Sequence, residues 1–229
     1  MKFFAQNLQR ALEHRDLTPE DLAVYVGIDV TDIRKALTGE KCILPSEHLR
    51  VSKALRIGLM RLFAENGCAH VPFECKLLVL DIDGVMTDGG MIVNSDGTEA
   101  KKFNTKDGMA IKNAIKLGVE VGFISSGKNI DLIQYRADML GVKHVYVGSS
   151  EKLDVLTEWC KNLNIPLSEV AYIGDDLNDL LVLQSVGLSA CPADAVPAVR
   201  DVCSQILTRK GGEGCVRELV ELMGYMIME

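Results

Sequence analysis

The feature that most constrains the fold is a regular alternation of apolar runs with helical segments after residue 76. The apolar runs at 76–81, 119–125, 143–147, 170–174 and 186–190 predict strands, and the segments near 107–117, 129–140, 151–163 and 177–184 predict helices. Parallel strands need crossover connections, which helices supply. The alternation therefore predicts an α/β domain with a parallel sheet. The segment 90–103, centred on Ser95-Asp96-Gly97, predicts a β-hairpin.

The chain before this domain carries helix signals and no strand signal from residue 3 to about residue 66. Thr18 marks a helix start, and Asp29 to Leu37 predicts a short helix. Pro45 opens another helix, with Leu49, Val51 and Leu55 on its buried face. The pattern changes in a short linker from Glu65 to Phe73. These observations predict a small all-α domain over residues 1–68 and an α/β domain over residues 69–229.

The composition is that of a globular protein, with 48% hydrophobic and 25% charged residues. A net charge of -7 argues against a general nucleic-acid or membrane-surface binder. The first residues lack an apolar signal core, and no apolar run approaches the roughly 20 residues that cross a bilayer. The seven cysteines form no CxxC pair. We expect reduced thiols in a cytoplasmic protein without a membrane segment.

Two acidic clusters follow predicted strands. In "LDIDGVMTDG", Asp81 and Asp83 come directly after the first strand, and "YIGDDLNDL" places Asp175, Asp176 and Asp179 after the fourth. The carboxyl ends of parallel strands share one edge of a sheet, where α/β proteins bind ligands. Two carboxylate groups there can share Mg²⁺, a cation that prefers oxygen ligands and substrate phosphates. One aspartate is then free to attack phosphorus.

Aspartates in such positions could also bind calcium in an EF-hand loop or cap helices. An EF-hand loop also begins D-x-D, but Val85 and Met86 stand where that loop needs an oxygen ligand and a glycine. Helix capping remains open for Asp176 and Asp179. For Asp81 with Asp83, a cap explains only one of the two acids.

These motifs carry a family resemblance. DIDGVMTDG and GDDLND resemble the first and fourth motifs of the haloacid dehalogenase superfamily. "GTEAKKFNTKDGMAIK" and "RKGGEGCVREL" narrow the resemblance to its capless branch, which acts on 3-deoxy-D-manno-octulosonate 8-phosphate or on nine-carbon, sialic-acid-type 9-phosphates. The resemblance covers about residues 76–222. It implies a cytoplasmic, Mg²⁺-dependent phosphatase of ulosonic acid phosphates, of the kind used in lipopolysaccharide biosynthesis.

The resemblance implies a role for each matching residue. Asp81 would be the nucleophile and a metal ligand, and Asp83 the general acid and base, with its backbone carbonyl also on the metal. Asp175 would be the third ligand, supported by Asp176 and Asp179. Lys152, which opens a helix in "SSEKLDVL", would bridge the nucleophile and the phosphate.

The phosphate-binding hydroxyl of the second motif falls in "VEVGFISSGK", where two serines precede Gly127 and the family has one hydroxyl. Counting from Gly118 places it at Ser125, which we favour, and counting back from Gly127 places it at Ser126. Lys128 stands where the family often has Arg and is a candidate contact for phosphate or the substrate carboxylate. A solvated lysine, or a serine bonded to nearby backbone, remains the simple alternative for each.

A capless site needs walls from elsewhere. We expect Arg209 and Lys210, beside Gly211 and Gly212, to form a mobile basic segment that contacts substrate. The alternative is that the glycines only precede a helix from Glu213 to Leu222. The resemblance also implies a homotetramer with the 90–103 hairpin at the interface.

The front domain resembles a helix-turn-helix of the phage-repressor type over about residues 5–65. Its recognition helix would present Asp29, Thr31, Asp32, Arg34 and Lys35. Acids near the helix start oppose phosphate approach, so a packing or assembly role is favoured over DNA binding. Two functions therefore compete: a sugar phosphatase with an appended helical domain, and a DNA-binding regulator that senses a sugar phosphate. The complete set of catalytic residue types favours the enzyme.

Overall fold

The computed structural model describes residues 2–55, 57, 59–63 and 74–225. It divides into two compact units, Met1–Pro72 with Arg200–Gln205, and Phe73–Val199 with Ile206–Glu229. The predicted linker from Glu65 to Phe73 lies outside the described residues. Within those residues, no helix combines the length and the apolar character that a bilayer crossing requires.

The described residues of the front unit form five helices. They are α1 (Lys2–His14), α2 (Pro19–Val26), α3 (Val30–Thr38), α4 (Pro45–Leu55) and α5 (Leu59–Phe63). Apolar side chains from all five, such as Phe4, Leu22, Ile33, Val51 and Leu62, form one buried core.

Local sequence signals set the helix ends of the front unit. Thr18 caps α2 through a reciprocal pair of hydrogen bonds with Asp21, and Asp29 caps α3 by accepting from the Thr31 N–H at 2.7 Å. Gly27 ends α2 at φ 64°, a conformation that glycine adopts without a Cβ clash. The expected burial of Leu49 is wrong, because that side chain is 43% exposed. His48 takes the buried position one residue earlier.

After residue 76 the chain alternates strands and helices. The elements in chain order are β1 (Leu77–Leu80), β2 (Ile92–Val93), β3 (Glu99–Ala100), α6 (Thr105–Lys116), β4 (Glu120–Ser125), α7 (Ile130–Leu140), β5 (His144–Val147), α8 (Lys152–Leu163), β6 (Val170–Ile173), α9 (Leu180–Ser185), β7 (Leu188–Cys191), α10 (Pro197–Val202), β8 (Gln205–Ile206) and α11 (Cys215–Leu222).

Six of the strands form one sheet in the order β5-β4-β1-β6-β7-β8. The pairs of β1 with β4 and β6, of β4 with β5 and of β6 with β7 are parallel. Every residue of β1 and β6 is buried, as expected for strands covered on both faces. The α/β fold class expected from the sequence is confirmed.

The register between β1 and β6 determines where the acidic clusters lie. Leu80 pairs with Ile173, the last residues of their strands, and the Asp81 N–H donates to the Ile173 carbonyl at 3.0 Å. Asp81 and Asp175 therefore leave the sheet at the same edge. Chain order reverses there, since β1 lies between β4 and β6, which is where open α/β sheets form ligand crevices.

The bounds of two helices and the presence of two short elements differ from the sequence expectations, whereas the hairpin agrees with them. The expected helix at 177–184 begins with a tight turn, Leu177–Asp179, before α9, and the expected helix from Glu213 begins at Cys215. The short elements α10 and β8 were not predicted, because two to six residues carry too little periodicity to identify. The 90–103 segment forms the antiparallel pair β2–β3, in which Val93 is opposite Glu99.

Candidate active site

The loop after β1 is shaped by a close approach to Asp175. Gly84 has φ 85°, and a Cβ built on it would lie 2.0 Å from Asp175 Oδ2. Any side chain would therefore displace that carboxylate. The glycine in "DIDGV" thus lets the first acidic cluster fold against the second.

Asp179 connects the second acidic cluster to Lys152 and to the sheet. Its Oδ1 accepts from Lys152 Nζ at 2.7 Å and from the Tyr172 hydroxyl at 2.6 Å. Its Oδ2 accepts from the Asp175 and Asp176 N–H groups at 3.0 and 3.3 Å. This fully buried carboxylate therefore fixes a lysine, a tyrosine and the backbone that carries Asp175.

Lys152, at the first turn of α8, also contacts the first cluster. Its ammonium lies 3.0 Å from Asp81 Oδ1, and its side chain is 2% exposed. Burial lowers the pKa of Lys152, but the Asp81 and Asp179 charges outweigh burial and raise it. Lys152 is therefore a buried cation that links one carboxylate from each cluster.

The carboxylates of Asp81, Asp175 and Asp179 all interact electrostatically with the Lys152 ammonium. Burial, and next the charge of Asp179, raise the pKa of Asp81 well above its usual range. Burial, with Asp179 and Asp176, raises the pKa of Asp175 to about 7. The crowding of negative charge is thus only partly offset by Lys152, and a second cation would favour the ionised carboxylates.

The geometry fits such a cation. Oxygen atoms of Asp81, Asp175 and Asp179 lie within 4.8 Å of one another. Asp175 Oδ1 is buried and has no hydrogen-bond partner among the described residues, and a buried carboxylate oxygen without a partner is costly. This cluster contains Asp81 and Asp175 from the expected ligand set, and the side chain of Asp179 in addition.

The Asp83 side chain points to a different partner. Its Oδ1 lies 2.5 Å from Lys101 Nζ, and the same ammonium lies 2.8 Å from Glu99 Oε1. The side chain of Asp83 is 39% exposed, whereas that of Lys101 is 6% exposed. Asp83 is therefore accessible to a ligand from one side and held by a buried ammonium from the other.

The two serines of the second motif occupy different environments. Ser125 is the last residue of β4 and is buried, and its Oγ accepts from the Gly127 N–H at 3.0 Å. Ser126 is exposed, and its Oγ accepts from Asn178 Nδ2 at 3.0 Å, which ties it to the second acidic loop. A Cβ on Gly127 would lie 3.1 Å from Ser125 Oγ and 3.8 Å from Asp83 Oδ2, so Ser125 and Asp83 face the same glycine.

The candidate substrate-binding residues Lys128, Arg209 and Lys210 are all exposed. The expectation that the glycines after Lys210 make a mobile segment is wrong. Gly211 is buried, its N–H donates to Asp194 Oδ1 at 3.1 Å, and a Cβ on it would lie 2.0 Å from the Gly84 carbonyl oxygen. These glycines are required for close packing onto the loop after Asp83.

Two site residues were missed by sequence reasoning. Tyr172 reads as one more apolar residue of β6, and nothing in "AYIGDD" shows that its hydroxyl meets Asp179. Lys101 lies in a stretch with three other lysines at 102, 106 and 112, and only the fold separates it from them. The one available signal is its position two residues after Glu99, since alternate residues of a strand share a face.

A buried aspartate after β1, a lysine that bridges to a second acidic loop and a carboxylate cluster with an unsatisfied oxygen define a phosphate-transferring α/β enzyme. A family model described as haloacid dehalogenase-like hydrolase matches residues 145–219. The 3-deoxy-D-manno-octulosonate 8-phosphate phosphatase of Escherichia coli K12 is 39% identical over 148 residues, which are 65% of this chain and 78% of that protein.

Solved structures give the same result. The crystal structure of the phosphatase with that name from Yersinia pestis is 40% identical, with a TM-score of 0.64 over 65% of this chain and 80% of that one. The Moraxella catarrhalis phosphatase, solved with a magnesium ion, a phosphate ion and KDO, is 37% identical, with a TM-score of 0.63 over 65% of this chain and 85% of that one. The chain belongs to the haloacid dehalogenase superfamily of hydrolases. It is a phosphatase related to the 3-deoxy-D-manno-octulosonate 8-phosphate phosphatases.

The Asp179 contacts generate a stability prediction. Asp179→Asn places an NH₂ group among donors and removes a charge beside the buried Lys152, so we expect a loss of about 3 kcal/mol in the free energy of unfolding. Urea unfolding followed by the fluorescence of Trp159, the single tryptophan, measures it. Asp176→Asn is the control, because Asp176 is exposed and asparagine also caps helices. Equal midpoints for the two variants would contradict this account of Asp179.

Proposed function

We propose that this phosphatase hydrolyses the phosphomonoester of a ulosonic acid of the 3-deoxy-D-manno-octulosonate 8-phosphate type, with Mg²⁺ and through an aspartyl-phosphate. The observation that carries the proposal is Asp81, buried at the end of β1 with Lys152 at 3.0 Å and the Asp175 carboxylate beside it. This arrangement supports one carboxylate that attacks and others that hold a cation.

In the proposed reaction an Asp81 oxygen attacks phosphorus and the bond from phosphorus to the sugar oxygen breaks. Lys152 offsets part of the negative charge that Asp81 and the phosphate bring together. The Ser125 hydroxyl, at the end of the neighbouring strand β4, is the favoured donor to a phosphate oxygen. Ser126 is the alternative, since it is exposed and fixed to Asn178.

Asp83 is proposed as the general acid and base. In the first step its proton goes to the departing sugar oxygen, and in the second it accepts a proton from the water that attacks phosphorus. The bond between phosphorus and Asp81 then breaks, which releases inorganic phosphate and regenerates the free carboxylate. The 39% exposure of the Asp83 side chain is consistent with contact to substrate and water.

Mg²⁺ would be held by Asp81, Asp175 and the Asp83 backbone carbonyl. Both oxygens of Asp179 already accept hydrogen bonds, so Asp179 is assigned to the support of the site. When bound, the cation would supply positive charge that stabilises the phosphate oxygens. Asp176, which caps the turn at Leu177–Asp179 through the Leu177 N–H at 2.7 Å, is assigned to the support of this loop. The unpartnered Asp175 Oδ1 is the observation that favours a cation here.

The substrate class rests on the relatives, whose names specify 3-deoxy-D-manno-octulosonate 8-phosphate. A nine-carbon ulosonic acid 9-phosphate is the alternative, because both carry a carboxylate and a terminal phosphate. Lys128 is proposed to contact the phosphate or the carboxylate, and Arg209 and Lys210 are proposed to contact the carboxylate-bearing sugar. Gly211, packed on the Gly84 carbonyl, fixes the backbone next to Lys210 beside the site.

The proposed assembly is a homotetramer with the β2–β3 hairpin at an interface. The hairpin exposes Met91, Ile92 and Val93 by 53–74%. Adjacent apolar side chains at this exposure favour coverage by a partner. A second copy of the chain would also add walls to a site that has no cap domain.

For the front unit we propose a packing or assembly role without functional DNA binding. Two of its cations are already paired with acids: Arg34 contacts Glu20, and Lys41 Nζ lies 2.7 Å from Asp32 Oδ2. Acids therefore offset the positive charges of Arg34 and Lys41, and Asp29 caps α3, the helix that would face DNA. This arrangement opposes the approach of phosphates. The competing function, a DNA-binding regulator with a sugar-phosphate sensor, has less support because a sensor needs no acid and base.

The chemistry is tested at the nucleophile. Asp81→Asn removes both the attacking oxygen and a ligand charge, so phosphate release from 3-deoxy-D-manno-octulosonate 8-phosphate should fall by several decades, on the order of 10³-fold or more. Asp138→Asn, on the exposed side of α7, is the control and should keep parental turnover. Turnover of Asp81→Asn within tenfold of the parent would show that the mechanism is wrong.

The basic segment is tested with two substrates. Arg209→Ala combined with Lys210→Ala should raise KM or lower kcat for the ulosonic acid phosphate and leave p-nitrophenyl phosphate hydrolysis nearly unchanged, because only the first carries a carboxylate. Lys161→Ala, on the exposed side of α8, controls for loss of a surface charge. Light scattering should show an unchanged oligomeric state. Equal losses on both substrates indicate a folding defect, and no loss on either removes this segment from the site.

The front unit is tested with mixed DNA duplexes. Fluorescence anisotropy at physiological salt should show no binding tighter than the roughly 10⁻⁴–10⁻⁶ M of non-specific contacts. The double variant Glu20→Gln, Asp32→Asn frees Arg34 and Lys41 and should bind more tightly than the parent. Sub-micromolar, sequence-dependent binding by the parent would favour the regulator instead.

A further inference from the structure

The hairpin sends one lysine into the catalytic loop. Lys101 follows β3 directly, and its ammonium contacts Asp83 Oδ1 at 2.5 Å and Glu99 Oε1 at 2.8 Å. Glu99 and Lys101 are two residues apart and lie on one face of the chain, as alternate residues of an extended strand do. The exposed fraction of the Lys101 side chain is only 6%. An ammonium at this depth is stable only with its counter-charges in place.

We propose that Lys101 is a positioning residue for the proposed general acid and base Asp83, and that Glu99 holds Lys101 in place. The inference rests on the proposed function, since it assigns a task to a residue that acts through Asp83. It gives the hairpin a part in the reaction of its own chain, in addition to any part in assembly.

The geometry distinguishes the two oxygens of Asp83. Oδ1 is committed to Lys101, whereas Oδ2 lies on the side of Gly127, where a Cβ would be 3.8 Å away. Gly127 follows the end of β4, next to the Ser125 hydroxyl that is proposed to bind phosphate. One oxygen is therefore fixed and the other is directed towards the space that the phosphate would occupy.

Asp83 needs such a contact because its own surroundings restrain it weakly. Its side chain is more than a third exposed, and it belongs to an irregular loop in which Asp83 has φ −81° and ψ 120°. A carboxylate in that position exchanges rotamers unless a partner selects one. Proton transfer depends on placement, and a shift of about 1 Å in a reacting group can cost on the order of 10²-fold in rate.

The turn of the hairpin is internally ordered, so it can place Lys101 reproducibly. Asp96 Oδ1 accepts from the Thr98 N–H at 2.9 Å, and Asn94 donates its side-chain amide to Thr98 Oγ1 at 2.9 Å. The β2–β3 pairing sets Val93 opposite Glu99. The register of the hairpin therefore determines that Glu99 and Lys101 face the loop that contains Asp83.

The test uses Lys101→Met, which keeps the length of the side chain and removes its charge. With 3-deoxy-D-manno-octulosonate 8-phosphate, kcat should fall by about 10- to 100-fold while KM changes by less than about threefold. The loss should be smaller with p-nitrophenyl phosphate, because nitrophenolate departs without a proton from an acid. Lys101→Arg should recover part of the loss. Lys102→Met is the matched control, since Lys102 is the adjacent, exposed lysine and should keep parental kcat.

A double-mutant cycle separates positioning from a merely structural role. If Lys101 acts through Asp83, then Lys101→Met should cost nothing further in an Asp83→Asn background. The same additional loss in both backgrounds would overturn the inference, as would a kcat for Lys101→Met within threefold of the parent. Turnover of Asp83→Asn within tenfold of the parent would instead contradict the proposed function, so the two failures are distinguishable.

The Trp159 fluorescence would show whether Lys101→Met folds. If it does not fold, Glu99→Gln replaces it as the test variant. This variant removes the second counter-charge of Lys101 and retains a hydrogen-bond acceptor. Its kcat should fall in the parent background and stay unchanged in the Asp83→Asn background. Parental kcat for Glu99→Gln would overturn the part assigned to Glu99. If Lys101→Met also fails to fold, parental kcat for Glu99→Gln would mean that Lys101 has only a structural role, and the inference would be overturned.

Discussion

The Asp179 carboxylate is the contact on which the rest of the site depends. It accepts from Lys152 at 2.7 Å, from Tyr172 at 2.6 Å and from the backbone of Asp175 and Asp176. A fully buried charge is tolerated only when its lone pairs are satisfied and a counter-ion is near. These four donors meet that condition, and in doing so they fix the second acidic loop against the end of β1.

The same constraint explains the distribution of cations around the site. Two of these cations are buried and each lies between two acids: Lys152 between Asp81 and Asp179, and Lys101 between Asp83 and Glu99. The site therefore has two lysine-centred clusters, one at the nucleophile and one at the proposed acid and base. Because each lysine comes from outside the acidic loops, α8 and the hairpin both contribute to one sheet edge.

Much of this arrangement follows from short-range sequence rules. Apolar runs locate β1 and β6, and the glycine after Asp83 predicts a sharp turn next to the acids. What short-range rules miss is the purpose of a residue that acts across the fold. Gly211 illustrates this point. A glycine at this position suggests a mobile segment, but a Cβ on Gly211 would lie 2.0 Å from the Gly84 carbonyl oxygen, so the segment is closely packed.

The sequence by itself determined the α/β alternation, the strand after which each acidic cluster falls and the residue types available for phosphate chemistry, because these depend on periodicity and on neighbours within a few positions. Only the tertiary structure decided that Tyr172 and Lys152 share Asp179, that Ser125 is buried while Ser126 is exposed, and that Lys101 reaches Asp83. The Lys101–Asp83 and Lys152–Asp179 contacts join residues 18 and 27 positions apart, and Ser126 contacts Asn178 across 52 positions. These contacts depend on which strands pair in parallel across crossover connections, and that pairing joins segments that are distant in the chain.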